Sequence, residues 1–139
     1  MRPVVPVREV MKKNVVRISA DDTLWIVKEI MDLGSVRHIP VVDRGALVGV
    51  VSQRDLLRAS LSNIIGISAE EQKIFLEGVR IAEVMSTPPR TIGPDEGIQT
   101  AARLMAENKI GCLPVVEGRE IVGILTETDV LRYFALLPA

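Results

Sequence analysis

The sequence is poor in the residue types that build redox, metal and stacking sites. It has one cysteine and one histidine in 139 residues, so neither an internal disulfide nor a recognisable zinc site is expected. Cys112 lies in an apolar run, which favours the role of a small buried hydrophobe. Aromatic residues make up 3% of the chain, too few for the stacking platforms that bind single-stranded nucleic acid.

Long apolar runs and charge of one sign are also lacking. No apolar run approaches the ~18 residues of a membrane-spanning helix, and early charged residues leave no room for the apolar core of a signal peptide. The formal net charge is −1, with acidic and basic residues mixed along the chain, which argues against a nucleic-acid partner. We therefore expect a soluble, cytoplasmic protein that binds neither membrane nor nucleic acid.

Catalytic signatures are absent from the sequence as well. It contains neither the G-x-x-x-x-G-K-[ST] loop that binds nucleotide phosphates nor the G-x-G-x-x-G turn of dinucleotide-binding folds. The lone His38 has no evident nucleophile to activate. We predict that the protein is not an enzyme and carries no cofactor.

What the chain does have is an internal repeat. Residues 7–58 and 81–132 align without a gap at a constant offset of 74, with 14 identical positions. The identical pairs are Glu9/Glu83, Val10/Val84, Met11/Met85, Ile18/Ile92, Asp21/Asp95, Met31/Met105, Pro40/Pro114, Val41/Val115, Val42/Val116, Val48/Val122, Gly49/Gly123, Asp55/Asp129, Leu57/Leu131 and Arg58/Arg132. Most are apolar, Gly or Pro, as expected of a supersecondary unit that packs on its copy. We expect one domain, residues 1–139, made of two lobes with a ligand cleft between them.

Each repeat is predicted to form a strand, a helix, two strands and a second helix. In the first copy, Asp22 is expected to cap an amphipathic helix that ends at Gly34. In the second copy, Pro94-Asp95-Glu96 is expected to open this helix and Asn108 to end it. A β-hairpin with a tight turn then leads into the last helix.

Residues 59–80 connect the repeats and are too many for a plain loop in so small a domain. Ser68 followed by Glu71, Ile74, Phe75 and Leu76 predicts a capped amphipathic helix. Two roles stay open for this helix: a linker that covers the core, or a lid or dimer contact.

Three motifs occur in the same order in both repeats. They are Glu9-Val10-Met11 and Glu83-Val84-Met85; Arg37-His38-Ile39-Pro40-Val41-Val42 and Gly111-Cys112-Leu113-Pro114-Val115-Val116; and Gly49-Val50-Val51-Ser52-Gln53-Arg54-Asp55 and Gly123-Ile124-Leu125-Thr126-Glu127-Thr128-Asp129. Together they resemble a tandem pair of cystathionine-β-synthase (CBS) domains, a Bateman module, over nearly the whole chain. The resemblance implies a mixed α/β (α+β) fold of two βαββα units, packed pseudo-symmetrically through their sheets, and a module that pairs into a disc-shaped homodimer.

The resemblance also implies a regulatory function. Clefts of such modules bind adenosine-containing ligands, such as AMP, ADP, ATP or S-adenosylmethionine, and report binding to an attached enzyme, channel or transporter. Because the repeats and their connector use the whole chain, we expect the signal to pass through an unidentified protein partner or through the oligomeric state.

The strongest functional signal is Ser/Thr-x-x-Asp where a strand meets a helix. By resemblance, Asp55 and Asp129 bind a ribose, and Ser52, Thr126 and Thr128 bind a phosphate. Carboxylates can accept hydrogen bonds from ribose hydroxyls, and hydroxyl groups suit a phosphate. Helix capping is the alternative, since Ser, Thr and Asp are preferred cap residues, and the two roles can coexist.

Two further segments of each repeat form the adenine slot that the resemblance implies. Its residues are Val16, Arg17, Ile18 and Val50 in the first repeat, and Arg90, Thr91, Ile92 and Ile124 in the second. The alternative for Val50 and Ile124 is ordinary strand core. Arg90 is long and charged, so it either restricts its pocket or contacts a phosphate. Sites of this family draw on both repeats, so the pocket to which each residue contributes stays open.

Basic residues distinguish the two repeats. Arg37, His38 and Arg54 of the first copy correspond to Gly111, Cys112 and Thr128 of the second. Arg offers a fixed fork for phosphate, and His adds charge mainly below about pH 6.5. Unless these side chains are simply solvated, we expect unequal clefts: one for a phosphorylated ligand, the other for a less charged ligand or none.

The leading hypothesis is a stand-alone sensor of an adenosine-containing nucleotide that changes shape or self-association on binding. Such a response requires the ligand to bind two states with different affinity. The alternative is a non-catalytic protein-interaction or dimerisation module with a vestigial pocket. The presence of both Asp55 and Asp129 favours the sensor.

Overall fold

Two compact units make up the chain, and their boundaries cross the sequence repeats. The computed structural model describes residues 4–60 and 66–138. The unit Val16–Pro89 is called the Asp55 unit, and the unit that combines Met1–Val15 with Arg90–Ala139 is called the Asp129 unit. The opening segment of each repeat therefore folds with the body of the other: residues 7–15 with the second repeat, and residues 81–89 with the first.

The Asp55 unit builds a three-stranded sheet with helices packed on it. Its elements are β1 (Ile18–Ser19), α1 (Leu24–Gly34), β2 (His38–Asp43), β3 (Ala46–Ser52), α2 (Gln53–Ala59), α3 (Ala69–Glu77) and a 3-10 turn at Ile81–Glu83. Strand β1 pairs parallel with β2, and β2 pairs antiparallel with β3.

Among the described residues, the Asp129 unit repeats this plan with one strand fewer and without a counterpart of α3. Its elements are a 3-10 turn at Val7–Glu9, α4 (Ile98–Asn108), β4 (Cys112–Glu117), β5 (Glu120–Thr126) and α5 (Glu127–Ala135). Strands β4 and β5 form an antiparallel hairpin. The predicted mixed fold of helices and short strands is confirmed, and so are the predicted helix ends at Gly34 and Asn108.

The first strand predicted for the second repeat is reduced to a single bridge at Ile92. Its N–H donates to Pro114 O at 3.1 Å, and its carbonyl accepts from Val116 N at 3.0 Å. In the first repeat the ladder continues, because Ala20 N donates to Val42 O at 3.0 Å. Pro94 stands at the position of Ala20 and has no N–H, so this strand cannot continue.

The starts of α1 and α4 correct the sequence interpretation. Their N-caps are Thr23 and Gly97, and neither makes a side-chain cap hydrogen bond. Asp22 and Glu96 each accept a hydrogen bond from the backbone N–H three residues earlier, at 2.9 and 2.8 Å. These acidic side chains close the turn before the helix instead of capping it, because the chain enters the helix one residue later than the pattern predicts.

Both hairpins share one register and one irregularity. In β2 and β3, His38 lies opposite Ser52 and Pro40 opposite Val50, with a register shift between Val41 and Val42. The β4 and β5 hairpin repeats every one of these pairings at the offset of 74. The repeated sequence therefore fixes not only the elements but also which residues face each other across each hairpin.

Each unit has its own apolar core. The buried faces of α1 and of the sheet form one, from Ile18, Leu24, Val27, Met31, Ile39, Val41 and Val51. The faces of α4 and of the β4–β5 hairpin form the other, from Ile92, Ile98, Ala101, Met105, Leu113, Val115 and Leu125. Burial of each such aliphatic side chain contributes about 1.5–3 kcal/mol, so these periodic faces hold the helices on the sheets.

The connector helix α3 is present, with Ser68 and Glu71 forming a capping box. Leu76 is fully buried in the core of the Asp55 unit, whereas Ile74 and Phe75 are exposed. The role of covering the core is therefore confirmed for one face of α3 only. Residues 61–65 of the predicted connector lie outside the described residues.

Two short straps explain why glycine and methionine recur in both repeats. Met11-Lys12 crosses β5 of the Asp129 unit, and Met85-Ser86 crosses β3 of the Asp55 unit. A Cβ atom at Gly49 would lie 2.8 Å from both Met85 Sδ and Ser86 O. At Gly123 it would lie 2.9 Å from Lys12 O and would also overlap Met11 Sδ. Only glycine lets the strap approach the strand this closely.

Within residues 4–60 and 66–138, no helix has the length and apolarity needed to cross a membrane. The same residues contain no group of three or more His, Cys, Asp or Glu side chains placed to hold a metal ion.

Candidate functional site

The Ser/Thr-x-x-Asp segments form capping boxes in both units. Ser52 Oγ accepts from Asp55 N at 3.1 Å, and Asp55 Oδ2 accepts from Ser52 N at 2.8 Å and from Ser52 Oγ at 3.0 Å. Thr126 and Asp129 make the same three bonds, at 3.3, 2.9 and 2.8 Å. The capping role is therefore present at both junctions, and it uses Oδ2 of each carboxylate.

Asp129 is the one buried charged residue among those that the structure describes. Its side chain is 3% exposed, and its Oδ1 lies 3.8 Å from Lys12 Nζ and 3.9 Å from Arg132 Nη1. A buried carboxylate needs such partners because removal from water is costly. The two cations that face Oδ1 are themselves largely exposed, so they form the solvent side of this site.

Lys12 is a site residue that the sequence interpretation missed. It reaches Asp129 because Lys12 N donates to Ile124 O and Ile124 N donates to Lys12 O, both at 2.9 Å. Two residues further along β5 lies Thr126, which caps α5. The repeat itself places Lys12 with the first copy, and nothing in the local sequence shows that its segment folds on the second.

The residues predicted to bind ribose and phosphate in the first repeat meet at the open end of the β2–β3 hairpin. His38 lies opposite Ser52, and Gln53 N donates to Arg37 O at 2.8 Å. Arg37 is exposed and His38 half-buried, while Arg54 is exposed on the first turn of α2. The structure thus brings Arg37, His38, Ser52, Arg54 and Asp55 to one edge of the Asp55 unit.

The corresponding edge of the Asp129 unit carries different side chains. Cys112 lies opposite Thr126, Glu127 N donates to Gly111 O at 3.0 Å, and Thr128 is exposed on α5. Burial raises the pKa of the Cys112 thiol to about 12. The buried thiol therefore forms less thiolate than an exposed one, as a packing group does.

The residues predicted for the adenine slots divide into core and surface positions. Ile18, Ile92 and Ile124 are buried, which agrees with the strand-core alternative for Ile124. Val50 is half-buried and exchanges two backbone hydrogen bonds with Ser86, at 2.9 and 3.1 Å. By contrast, the side chains of Val16, Arg17, Arg90 and Thr91 are exposed just before β1 or the Ile92 bridge. Each group of slot residues belongs to the same unit as its junction aspartate.

The chain matches the family model described as CBS domain twice, over residues 7–62 and 81–136. A CBS domain-containing protein of Dictyostelium discoideum is 30% identical over 129 residues, which are 91% of this chain and 89% of that protein. An uncharacterised protein of Methanocaldococcus jannaschii is 31% identical over 93% of this chain. The chain spans only 32% of the length of that relative.

Solved structures show the same likeness. The CBS domain pair of protein MJ0100, in complex with 5′-methylthioadenosine and S-adenosyl-L-methionine, has a TM-score of 0.79 at 25% identity and covers 96% of this chain and 98% of its own. The protein CBSX2 in complex with AMP has a TM-score of 0.77 at 29% identity, over 94% of this chain and 96% of its own.

Proposed function

We propose that this chain, which belongs to the CBS domain family, is a regulatory module that binds an adenosine-containing ligand and acts without catalysis. The single observation that carries the proposal is the pair of matching junctions, Ser52 with Asp55 and Thr126 with Asp129. In each, the capping box engages Oδ2 of the aspartate. The ligand acts as a regulator. We further propose that the protein is cytoplasmic, because adenosine nucleotides are made and used in that compartment.

The ribose is assigned to the two aspartates. Because each cap uses Oδ2, ribose hydroxyls are received by Oδ1, whose lone pairs accept hydrogen bonds from O–H donors. At Asp129 the hydroxyls take the place that Lys12 and Arg132 now occupy beside Oδ1. Capping and ligand binding therefore coexist on one carboxylate, with one oxygen for each role.

The base and the phosphate are assigned to the surface residues around each junction. Exposed Val16 and Arg17, or Arg90 and Thr91, flank the adenine through their side chains, and the segments of Ile18, Val50, Ile92 and Ile124 contribute backbone groups. Phosphate in the Asp55 unit is assigned to Arg37, His38, Ser52 and Arg54, which share one hairpin end. The Ser52 hydroxyl has one proton, which it now donates to Asp55 Oδ2 and would redirect to the phosphate. The hydroxyls of Thr126 and Thr128 are the corresponding groups in the Asp129 unit, where Thr126 would likewise redirect the proton that it now donates to Asp129 Oδ2.

Relatives support the ligand class. Two similar structures are complexes with adenosine compounds: 5′-methylthioadenosine and S-adenosyl-L-methionine in one, and AMP in the other. These compounds share an adenosine moiety and differ in charge. The choice among AMP, ADP, ATP and S-adenosylmethionine therefore depends on the groups beyond the ribose.

Signalling is proposed to proceed through self-association, with a second copy of this chain as the partner. Helix α5 and the residues after it expose Leu131, Phe134, Leu136 and Leu137, and α2 exposes Leu57, the repeat equivalent of Leu131. A group of exposed apolar side chains on one element is typical of an interaction surface. A ligand that binds the dimer and the monomer with different affinity shifts their equilibrium.

The test is thermal unfolding of the purified protein with AMP, ADP, ATP and S-adenosylmethionine, against GTP as control, with sedimentation of the same samples. A ligand that binds only the folded state at 100 times its dissociation constant stabilises it by about 2.7 kcal/mol and raises the unfolding midpoint. We expect such a rise with at least one adenosine compound and not with GTP. No shift at millimolar concentration would overturn the proposal.

The second candidate is an interaction module whose pocket no longer binds nucleotide. The exposed apolar residues of α5 favour it, because they serve a protein partner equally well. It predicts self-association that is insensitive to every adenosine compound. The sedimentation experiment separates the two candidates directly.

A further inference from the structure

We infer that Lys12 makes the site at Asp129 selective for an adenosine ligand that carries a phosphate group. The inference rests on the proposed function and names the ligand class for one of its two sites. It differs from the expectation drawn from Arg37, His38 and Arg54, which assigned the phosphorylated ligand to one cleft and a less charged ligand, or none, to the other.

The backbone of Lys12 is held in place, whereas its ammonium group can move. Two backbone hydrogen bonds of 2.9 Å with Ile124 hold the residue on β5. Its side chain is 58% exposed and ends 3.8 Å from Asp129 Oδ1. The ammonium group sits on a flexible four-carbon stem, so it can move from the carboxylate to a nearby anion while the backbone stays in place.

Selectivity arises because a bound ribose displaces the Lys12 ammonium group from Asp129 Oδ1. A ribose that binds Asp129 Oδ1 takes the position that Lys12 Nζ faces, and the ammonium loses its anion. A phosphate on the same ligand provides a new anion and a charge-assisted hydrogen bond, which is shorter and stronger than a neutral one. Uncharged adenosine offers no such replacement, and the sulfonium of S-adenosylmethionine places a like charge near the lysine.

The Asp55 unit provides the matched comparison within the same chain. Ser86 stands at the repeat position of Lys12 and makes the same ladder, with Val50 N donating to Ser86 O at 3.1 Å and Ser86 N donating to Val50 O at 2.9 Å. Its hydroxyl carries no charge. The backbone geometry is shared, so the ammonium group is the variable that distinguishes the two straps.

The test is a titration of the ¹⁵N-labelled protein with AMP and with adenosine, followed by NMR. The amide signals of Thr126 to Asp129 report the Asp129 unit, and those of Ser52 to Asp55 report the other unit in the same sample. The variants are Lys12→Ser, which copies Ser86, and Lys12→Arg, which keeps the charge. Because the Lys12 side chain is largely exposed and its backbone bonds remain, neither change removes a core contact.

We expect Lys12→Ser to lower the preference for AMP over adenosine about tenfold at Thr126 to Asp129, as the loss of one charge-assisted contact implies. Lys12→Arg should keep that preference within about threefold, and Ser52 to Asp55 should respond as in the wild type. Equal loss of AMP and adenosine binding, or no change in either, would overturn the inference but leave the proposed function standing. Binding confined to Ser52 to Asp55 would do the same. Absence of binding at both units would overturn the proposed function itself.

Discussion

The Asp55 and Asp129 units have the same hairpin pairings and the same capping boxes, yet they surround their aspartates differently. Asp129 is buried and faces Lys12 and Arg132, whereas Asp55 is half-buried, and the strap of its unit carries Ser86 in place of a lysine. The residues that differ stand in the straps, Lys12 against Ser86, and around the junctions, where Arg37, His38 and Arg54 correspond to Gly111, Cys112 and Thr128.

The largest expected effect is on the reactivity of Cys112, which stands at the repeat position of His38. The pKa of Cys112 rises to about 12 from an ordinary 9.0, so roughly a thousandfold less thiolate forms at pH 8 than in the unfolded chain. We predict that alkylation of the folded protein by iodoacetamide is at least about a hundredfold slower than in guanidinium chloride, because the thiolate is the nucleophile.

A matched control moves the thiol to the equivalent position of the other unit. The double variant His38→Cys, Cys112→Ser places it at a half-buried site, where alkylation should be faster. The raised pKa also sets a sign for stability: as pH rises from 9 towards 12 the unfolded chain releases the proton first, so Cys112 lowers the free energy of unfolding in that window. Equal alkylation rates in folded and unfolded wild type would contradict the assigned burial.

Next in size is the cost of placing a methyl group beneath either strap. Gly49→Ala and Gly123→Ala put a Cβ within 3.0 Å of strap backbone oxygen and methionine sulfur. We predict that each lowers the free energy of unfolding by about 1–3 kcal/mol, as overpacking does. Urea denaturation measures the change.

Gly34→Ala is the control for these two variants. Its nearest neighbour beyond the helix is Val36 Cγ2 at 3.4 Å, and Gly34 ends α1. Alanine there should be neutral or stabilising by up to about 1 kcal/mol, because glycine is the weaker helix former. If Gly49→Ala and Gly123→Ala were as mild as Gly34→Ala, the straps would not lie where the structure has them.

The sequence predicts the helices and hairpins because their signals are local. Apolar spacing, turn residues and the offset of 74 locate α1, α4 and both hairpins, although the two helices begin later than predicted. It does not predict the reduced strand at Ile92, since that depends on one missing N–H at Pro94. Nor does it predict that Met11-Lys12 folds with the second repeat, because exchange of segments between similar units leaves no local pattern. The contact between Lys12 and Asp129 therefore could not be predicted from the sequence.

Loss of either junction aspartate matters most for binding, and it also carries a stability cost. Replacement of Asp55 or Asp129 by Ala removes the carboxylate that accepts from the backbone N–H and the hydroxyl of Ser52 or Thr126, which costs about 1–3 kcal/mol. Asp21→Ala is the control, because Asp21 is also identical between the repeats, is exposed and lies away from the junctions. Circular dichroism should show all three variants folded.

Calorimetric titration with the adenosine compound that stabilises the wild type most, applied to Asp55→Ala, Asp129→Ala and Asp21→Ala, tests the assigned ribose contacts most directly. Each junction variant should weaken the site in its own unit by about tenfold or more, since a charged hydrogen-bond acceptor for the ribose is worth about 1.5–3 kcal/mol. Asp21→Ala should bind as the wild type does. Wild-type affinity in both junction variants would contradict the account.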